Sequence, residues 1–231
     1  MSGPLSPATI EELRQLDSCA VANAIETFGV RLRNEGFTDG RIRCLFGDMR
    51  PAVGFAVTAT VRTSTPPAVG HEYMDRTDWW NYVLTVPAPR IVVVQDVDER
   101  PGLGAFVGEV HGNVLAALGC VACVTNGSVR DLPAVRKAGL QMFAGSVSPS
   151  HAFAHVVGCG KPVEIAGLTI ATGDLLFGDA HGLVTVPADI ASQLPSVTAA
   201  MRQRERRVIE LCQSPDFSIE RLRDLVQDLD S

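Results

Sequence analysis

The run GCVACVTNGSVRDLP, residues 119–133, decides how this chain is read. Residues 121–125 are apolar without a break until Thr125, and glycine and polar residues bound them. Such a short continuous run predicts a strand covered on both faces. Asn126-Gly127 then predicts a turn. Asp131-Leu132-Pro133 opens a short helix, because aspartate caps a first turn and proline fits inside one. Polar side chains thus gather where a strand gives way to a helix, the place where binding and catalytic groups concentrate. Arg130 supplies a planar donor fork suited to a carboxylate. Asp131 supplies hard oxygens suited to Mg²⁺ or Mn²⁺. The two neighbours could equally form a structural ion pair.

Upstream, GLGAFVGEVHGN (residues 102–113) is glycine-rich and leads into a helix expected over 108–119. Backbone N–H groups at such a helix start make an anion site. Glu109 could order water there. The same glycines could simply close a strand–helix joint.

Further out, residues 8–28 carry apolar residues at helical spacing, with Asp17-Ser18 as a break and Gly29 as the stop. Residues 30–51 read as loop, 52–62 as strand, 63–70 as loop, 75–86 as helix with Trp79 and Trp80, 90–96 as buried strand and 140–144 as strand. After residue 162 short strands alternate with glycine turns, as in an antiparallel meander. Helices are expected at 188–212 and 218–229. The turns at Gly173-Asp174 and Asp179-Ala180-His181-Gly182 read as β-turns. No G-x-G-x-x-G opens a helix after the first strand, which argues against a doubly wound dinucleotide fold. The expectation is an α/β fold, layered sheet and helix, in a single domain over residues 1–231. Its core would span about 10–210, followed by a helical tail of about 211–231.

The 231 residues carry a net charge of −6, and Lys137 and Lys161 are the only lysines. The basic run at 201–207 is interrupted by Glu205 and reads as a solvated helix face, so nucleic acid is not an expected partner. Apolar runs are strand-sized and the first residues lack a signal-peptide pattern, so a cytoplasmic protein with no membrane span is expected. Cys120 and Cys123 form C-x-x-C inside an apolar run, which predicts buried thiols rather than a redox or zinc pair. His151 and His155 have the i, i+4 spacing of zinc ligands but no Glu-flanked H-E-x-x-H context.

GEVHGNVLAALGCVACVTNGSVRDLPAVRKAG (residues 108–139) and PVEIAGLTIATGDLLFGDAHGLVTVP (residues 162–187) together resemble the RraA-like family. The most specific part is G-x-x-R-D at Gly127 to Asp131, preceded by a G-E/D-x-x element at Gly108-Glu109. That family includes class II 4-hydroxy-4-methyl-2-oxoglutarate/4-carboxy-4-hydroxy-2-oxoadipate aldolases, which also decarboxylate oxaloacetate. It also includes a non-catalytic regulator of ribonuclease activity. The resemblance implies a layered ββα fold with flanking terminal helices, and a homotrimer or dimer of trimers with sites at subunit boundaries. It implies that Gly108, Glu109, Val110 and His111 hold a substrate carboxylate, that Arg130 binds the oxygens of a small 2-oxo acid, and that Asp131 ligates Mg²⁺ or another divalent cation. A glutamate near the C-terminus of a neighbouring subunit would position a base water, and Glu205 lies at about that place. Asn23 and His181 depart from acidic residues common in the family, and the segment around Trp79 and Trp80 departs from its usual pattern.

Opening a C–C bond beside a ketone leaves an enolate whose charge must be stabilised. A Schiff-base lysine or a Lewis-acidic cation can do this. With two lysines, neither in an apolar setting, the metal route is favoured. The expected activity is a metal-dependent lyase, and the alternative is a non-catalytic binding protein on the same scaffold.

Overall fold

The computed structural model describes residues 5–67 and 76–230. Two short helices, α1 (Pro7–Leu13) and α2 (Ser18–Glu26), come first. The expected break falls at Asp17, which caps α2 by accepting the Ala20 N–H at 2.8 Å. The chain then alternates β1 (Arg43–Cys44), β2 (Ala52–Arg62), α3 (Arg76–Leu84), β3 (Arg90–Asp96), β4 (Ala105–Val107), α4 (Glu109–Ala117), β5 (Cys120–Val129), α5 (Leu132–Lys137) and β6 (Gln141–Val147). Next come β7 (His155–Cys159), β8 (Val163–Ile165), β9 (Leu168–Ile170), β10 (Leu175–Asp179) and β11 (Gly182–Val186). A 3-10 turn at Ala191–Gln193, α6 (Leu194–Gln213) and α7 (Ile219–Asp230) complete the chain. The expected helix over 75–86 begins at Arg76, because Asp75 lies outside the described residues, as do residues 68–70 of the preceding loop.

Three parallel pairings, β2 with β3, β3 with β5 and β5 with β6, follow from the crossover helices α3, α4 and α5. The main path runs β1-β6-β5-β3-β2-β10-β11, with β4 on β5 and β7 on β2. Alternate residues of the central strands face two cores. Val57, Ala59, Val92, Val94 and Cys123 pack against Trp79, Val83, Leu115 and Val135 of α3, α4 and α5. Ala56, Ile91, Val93, Ala122 and Val124 face the other way, toward the β8–β9 hairpin and toward Phe143, Leu176 and Leu183. Phe143 of β6 shares that interior with strands from the opposite end of the path, so the sheet curls until it is nearly closed. A Cβ on Gly178 would lie 2.7 Å from the Phe143 ring, so only glycine lets the two ends approach. A third core binds α1, α2 and α6 to β10 and β11 through Leu13, Ile25, Phe177, Val186 and Leu194.

Several expectations need correction. The turn at Asn126-Gly127 does not exist: β5 continues to Val129, and a register shift on β6 between Thr125 and Ser128 absorbs the irregularity. β1 falls in the stretch expected as loop and β4 in the glycine-rich segment, and β7 has no strand expected at its position. Each is held by pairing to a longer strand rather than by its own pattern. The later strands do not form one meander, because β8 and β9 pair with each other apart from β10 and β11. His151 and His155 share no helical turn. His151 sits in a loop and His155 begins β7, each with Nδ1 against a nearby backbone carbonyl. Cys120 and Cys123 are buried; burial pushes the Cys120 thiol up to about 12 and the Cys123 thiol up as well. Among the described residues, no helix is long and apolar enough to cross a membrane.

Candidate active site

β5 ends at Val129, and Arg130 follows with its N–H donating to the Val107 carbonyl at 3.0 Å. That bond sets the end of β5 beside the end of β4, one residue before α4 begins. Asp131 then takes a left-handed backbone, φ +54°, which L-residues adopt at a cost that aspartate and asparagine bear best. It stands at the N-cap position of α5 but does not cap it: its side chain bonds none of that helix's N–H groups. This corrects the sequence reading. The carboxylate turns the other way, and Oδ2 accepts the Glu109 N–H at the start of α4, 2.9 Å away. Arg130 Nε lies 3.5 Å from the same oxygen, and Arg130 Nη1 donates to the Pro149 carbonyl at 3.4 Å.

Gly108 makes this convergence possible. A Cβ there would sit 2.5 Å from Asp131 Oδ2 and 2.9 Å from Arg130 Nε. Gly108 caps α4 without a side chain, so the first turn presents N–H groups with no intrahelical acceptor. Glu109 gives its N–H to Asp131, and among the described residues those of Val110 and His111 have no acceptor outside the helix and suit an anion. The Glu109 side chain is exposed, and Val110 is 77% exposed. The His111 ring points elsewhere: it is half-buried, with Nε2 accepting the Trp79 indole N–H at 3.2 Å and Nδ1 3.3 Å from the Phe106 carbonyl. Trp79 is core, 1% exposed.

Asn126-Gly127-Ser128, placed by the sequence among the reacting groups, is instead a brace behind them. The Asn126 amide grips the Asp96 backbone at both ends, accepting its N–H at 2.7 Å and donating to its carbonyl at 3.0 Å. The Asp96 carboxylate accepts the Gly102 N–H at 2.8 Å, and the Ser128 hydroxyl meets Ser146 Oγ at 2.6 Å. Asp98 is similarly committed, holding the N–H groups of Thr63 and Ser64. Burial would raise the Asp98 pKa, but these bonds outweigh it and hold the carboxyl below its ordinary value. Nothing in the sequence linked Asp96 to Asn126 or Pro149 to Arg130, because each arrives from a different segment of the chain.

Glu205 is not brought to Arg130 within one chain. It lies on α6 and lines a shallow cleft with Asp17, Asn23 and Arg202, on the β10–β11 side of the sheet. Asn23 and His181 together line a larger cleft of about 340 Å³ between α2 and β11. Below it Asp179 is buried, accepting both the Ser18 N–H and hydroxyl at 2.7 Å and the His181 N–H at 2.9 Å. Asp174 accepts the Ala171 N–H at 2.8 Å, a turn-forming bond as expected.

The donor set fits a hard divalent cation. Asp131 directs both its contacts through Oδ2, and Oδ1 takes no hydrogen bond among the described residues. No group of three His, Cys, Asp or Glu side chains clusters as a ligand set among those residues. Mg²⁺ is commonly held by one or two carboxylates, with water and substrate oxygens completing the shell, so a single carboxylate is compatible with it. A zinc site of several protein ligands is not.

Residues 18–185 match the family model RraA-like, described as Aldolase/RraA, and the chain belongs to the RraA-like family. That family includes both aldolase or decarboxylase members and ribonuclease regulators. The chain is 25% identical over 131 residues to protein DlpA of Legionella pneumophila, which covers 55% of this chain but 21% of DlpA. The chain therefore spans well under two thirds of that relative's length. An uncharacterized protein from Pseudomonas syringae pv. tomato superposes with a TM-score of 0.72 at 23% identity, over 96% of this chain and 95% of that one. Streptomyces coelicolor RraAS2, described as an unusual member of the RNase ES inhibitor RraA family, gives 0.66 at 21% identity, over 89% and 98%. At these identities the structural likeness shows the shared mixed α/β fold.

Proposed function

We propose that this protein is a divalent-metal-dependent lyase that cleaves a C–C bond of a small 2-oxo acid, by retro-aldol cleavage of the 4-hydroxy-4-methyl-2-oxoglutarate type, by decarboxylation of oxaloacetate, or by both. The observation that carries this reading is the convergence of Arg130, Asp131 and the open first turn of α4, with Gly108 leaving room for them. The free N–H groups of Val110 and His111 suit a substrate carboxylate at the positive end of the helix. Asp131 would hold Mg²⁺ or Mn²⁺, which when bound supplies Lewis acidity toward the 2-oxo acid. When the C–C bond breaks, its electron pair passes into an enolate. The Arg130 guanidinium, beside Asp131, would stabilise that charge as it develops. A water oriented by Glu109, or by Glu205 of a neighbouring copy, would take the C4 hydroxyl proton in the aldol direction. Lys137 and Lys161 are exposed, unlike the desolvated lysines that form Schiff bases.

A second copy is part of the proposal. In one chain the Arg130 and Asp131 side chains are 34% and 42% exposed, too open for a reaction that needs water excluded. Exposed apolar residues flank them: Val110 on α4, Val147 paired to Val129, and Leu103, whose carbonyl accepts from Ser148. A neighbouring copy in a homotrimer or dimer of trimers would cover this collar and bring its own Glu205.

The test is thermal stability with Mg²⁺ or Mn²⁺, with and without oxalate as a mimic of the enolate. Native-state binding raises the melting temperature. The expected result is a metal-dependent rise, larger with oxalate and absent in Asp131→Ala. No rise with any combination would count against the site and favour a non-catalytic role.

A further inference from the structure

The His111 side chain takes no direct part in the site above, yet it is the best-held side chain of the α4 first turn. An indole N–H only donates, so Trp79 Nε1 at 3.2 Å requires His111 Nε2 to accept. The proton is then on Nδ1, where it meets the Phe106 carbonyl at 3.3 Å. The ring also stands edge-on to the Phe106 ring, centroids 4.9 Å apart. Burial, with Arg76 nearby, lowers the His111 pKa and keeps the ring neutral, as this two-sided arrangement needs. Phe106 lies in β4, two residues before Gly108, and His111 is the third residue of α4. Trp79 belongs to α3 and is anchored in the core. One imidazole thus joins α3, the end of β4 and the first turn of α4.

Resting on the lyase reading, we propose that His111 is a positioning residue. Braced by Trp79, it fixes the direction of the Val110 and His111 N–H groups and so sets the site's grip on the substrate carboxylate. α3 thereby tunes substrate affinity without touching substrate. The energetic logic is preorganisation: donors already aimed at an anion do not have to be ordered when it binds.

The experiment measures Mg²⁺-dependent oxalate binding by calorimetry, and kcat and KM for oxaloacetate, in wild type, His111→Leu, His111→Gln and Trp79→Phe. Leucine fills the space without either hydrogen bond. Glutamine can accept from the indole and donate to the Phe106 carbonyl. The proposal expects oxalate affinity to fall about tenfold in His111→Leu and in Trp79→Phe, with KM rising and kcat nearly unchanged. Glutamine should restore affinity to within about threefold of wild type, a rescue that general loss of packing would not give. Should His111→Leu fail to fold, Trp79→Phe and His111→Gln carry the test. Wild-type binding with affinity unchanged in folded His111→Leu or Trp79→Phe overturns the brace alone. Wild-type protein that binds no oxalate overturns the 2-oxo acid reading and the brace with it.

Discussion

The Asp131 carboxylate accepts the backbone N–H of Glu109 at 2.9 Å, across 22 residues of chain. That bond makes the end of β5 and the start of α4 one unit. It commits one of the orphan N–H groups at the helix start to an aspartate that a left-handed backbone turns toward it. Residues held in such conformations are concentrated where strain serves a site.

Gly108→Ala tests that unit directly. The Gly108 backbone, φ −135° and ψ −161°, is open to any residue, so the substitution adds only a methyl group. The methyl would meet Asp131 Oδ2 and Arg130 Nε. Both are side-chain groups at the surface, so the fold should survive with a melting temperature close to wild type. Displacing reacting groups by about 1 Å can cost about 100-fold, and a loss of that order in kcat/KM is expected. Wild-type activity would show that the close packing of Gly108 is irrelevant to the site.

Asp179 should contribute to the acid limb of stability. Burial pushes its pKa up, but the Ser18 hydroxyl, the Ser18 N–H and the His181 N–H outweigh that and hold it below the ordinary value. The folded pKa therefore lies below the unfolded one, about 3.9. Its contribution is present above about pH 4 and is lost as pH falls through the folded value. Asp179→Asn should lose about 1–3 kcal/mol at pH 7, the cost of disrupting buried hydrogen bonds. Denaturant titrations from pH 7 to pH 3 should show a shallower decline in the variant than in wild type. Parallel curves would place the acid sensitivity elsewhere.

Much of this fold is legible in the sequence because its central strands carry their own signal. Ala52–Arg62 is rich in alanine, valine and threonine, Arg90–Asp96 holds the unbroken apolar run Ile91 to Val94, and the structure has strands at those same bounds. β4, three residues beside a glycine-rich loop, has no such signal and exists because β5 offers it a partner. Asn126-Gly127 misled for a related reason: turn chemistry is local, whereas here Asn126 is held by Asp96 on a neighbouring strand. For the site, adjacency drew attention to Arg130 and Asp131. The roles of Gly108 in making room, of Pro149 in holding Arg130 and of Trp79 in bracing His111 depend on contacts between distant segments, which periodicity does not encode.

Glu205 and Arg130 lie on different parts of one chain, so the proposal that they meet across copies predicts complementation. Arg130→Ala and Glu205→Gln, each impaired alone, should recover activity when co-expressed. In randomly mixed assemblies about a quarter of the shared sites would contain both native residues. No recovery from mixed assemblies would remove Glu205 from the site and leave Glu109 as the group that orients the water.

The most direct measurement is pyruvate release from oxaloacetate and from 4-hydroxy-4-methyl-2-oxoglutarate, with Mg²⁺ or Mn²⁺ and with EDTA, in wild type and Arg130→Ala. The predicted result is release that needs the metal, stops with EDTA and falls by about 100-fold or more without the guanidinium. Folded wild-type protein that releases no pyruvate from either substrate, or release that is unchanged in Arg130→Ala, would contradict it.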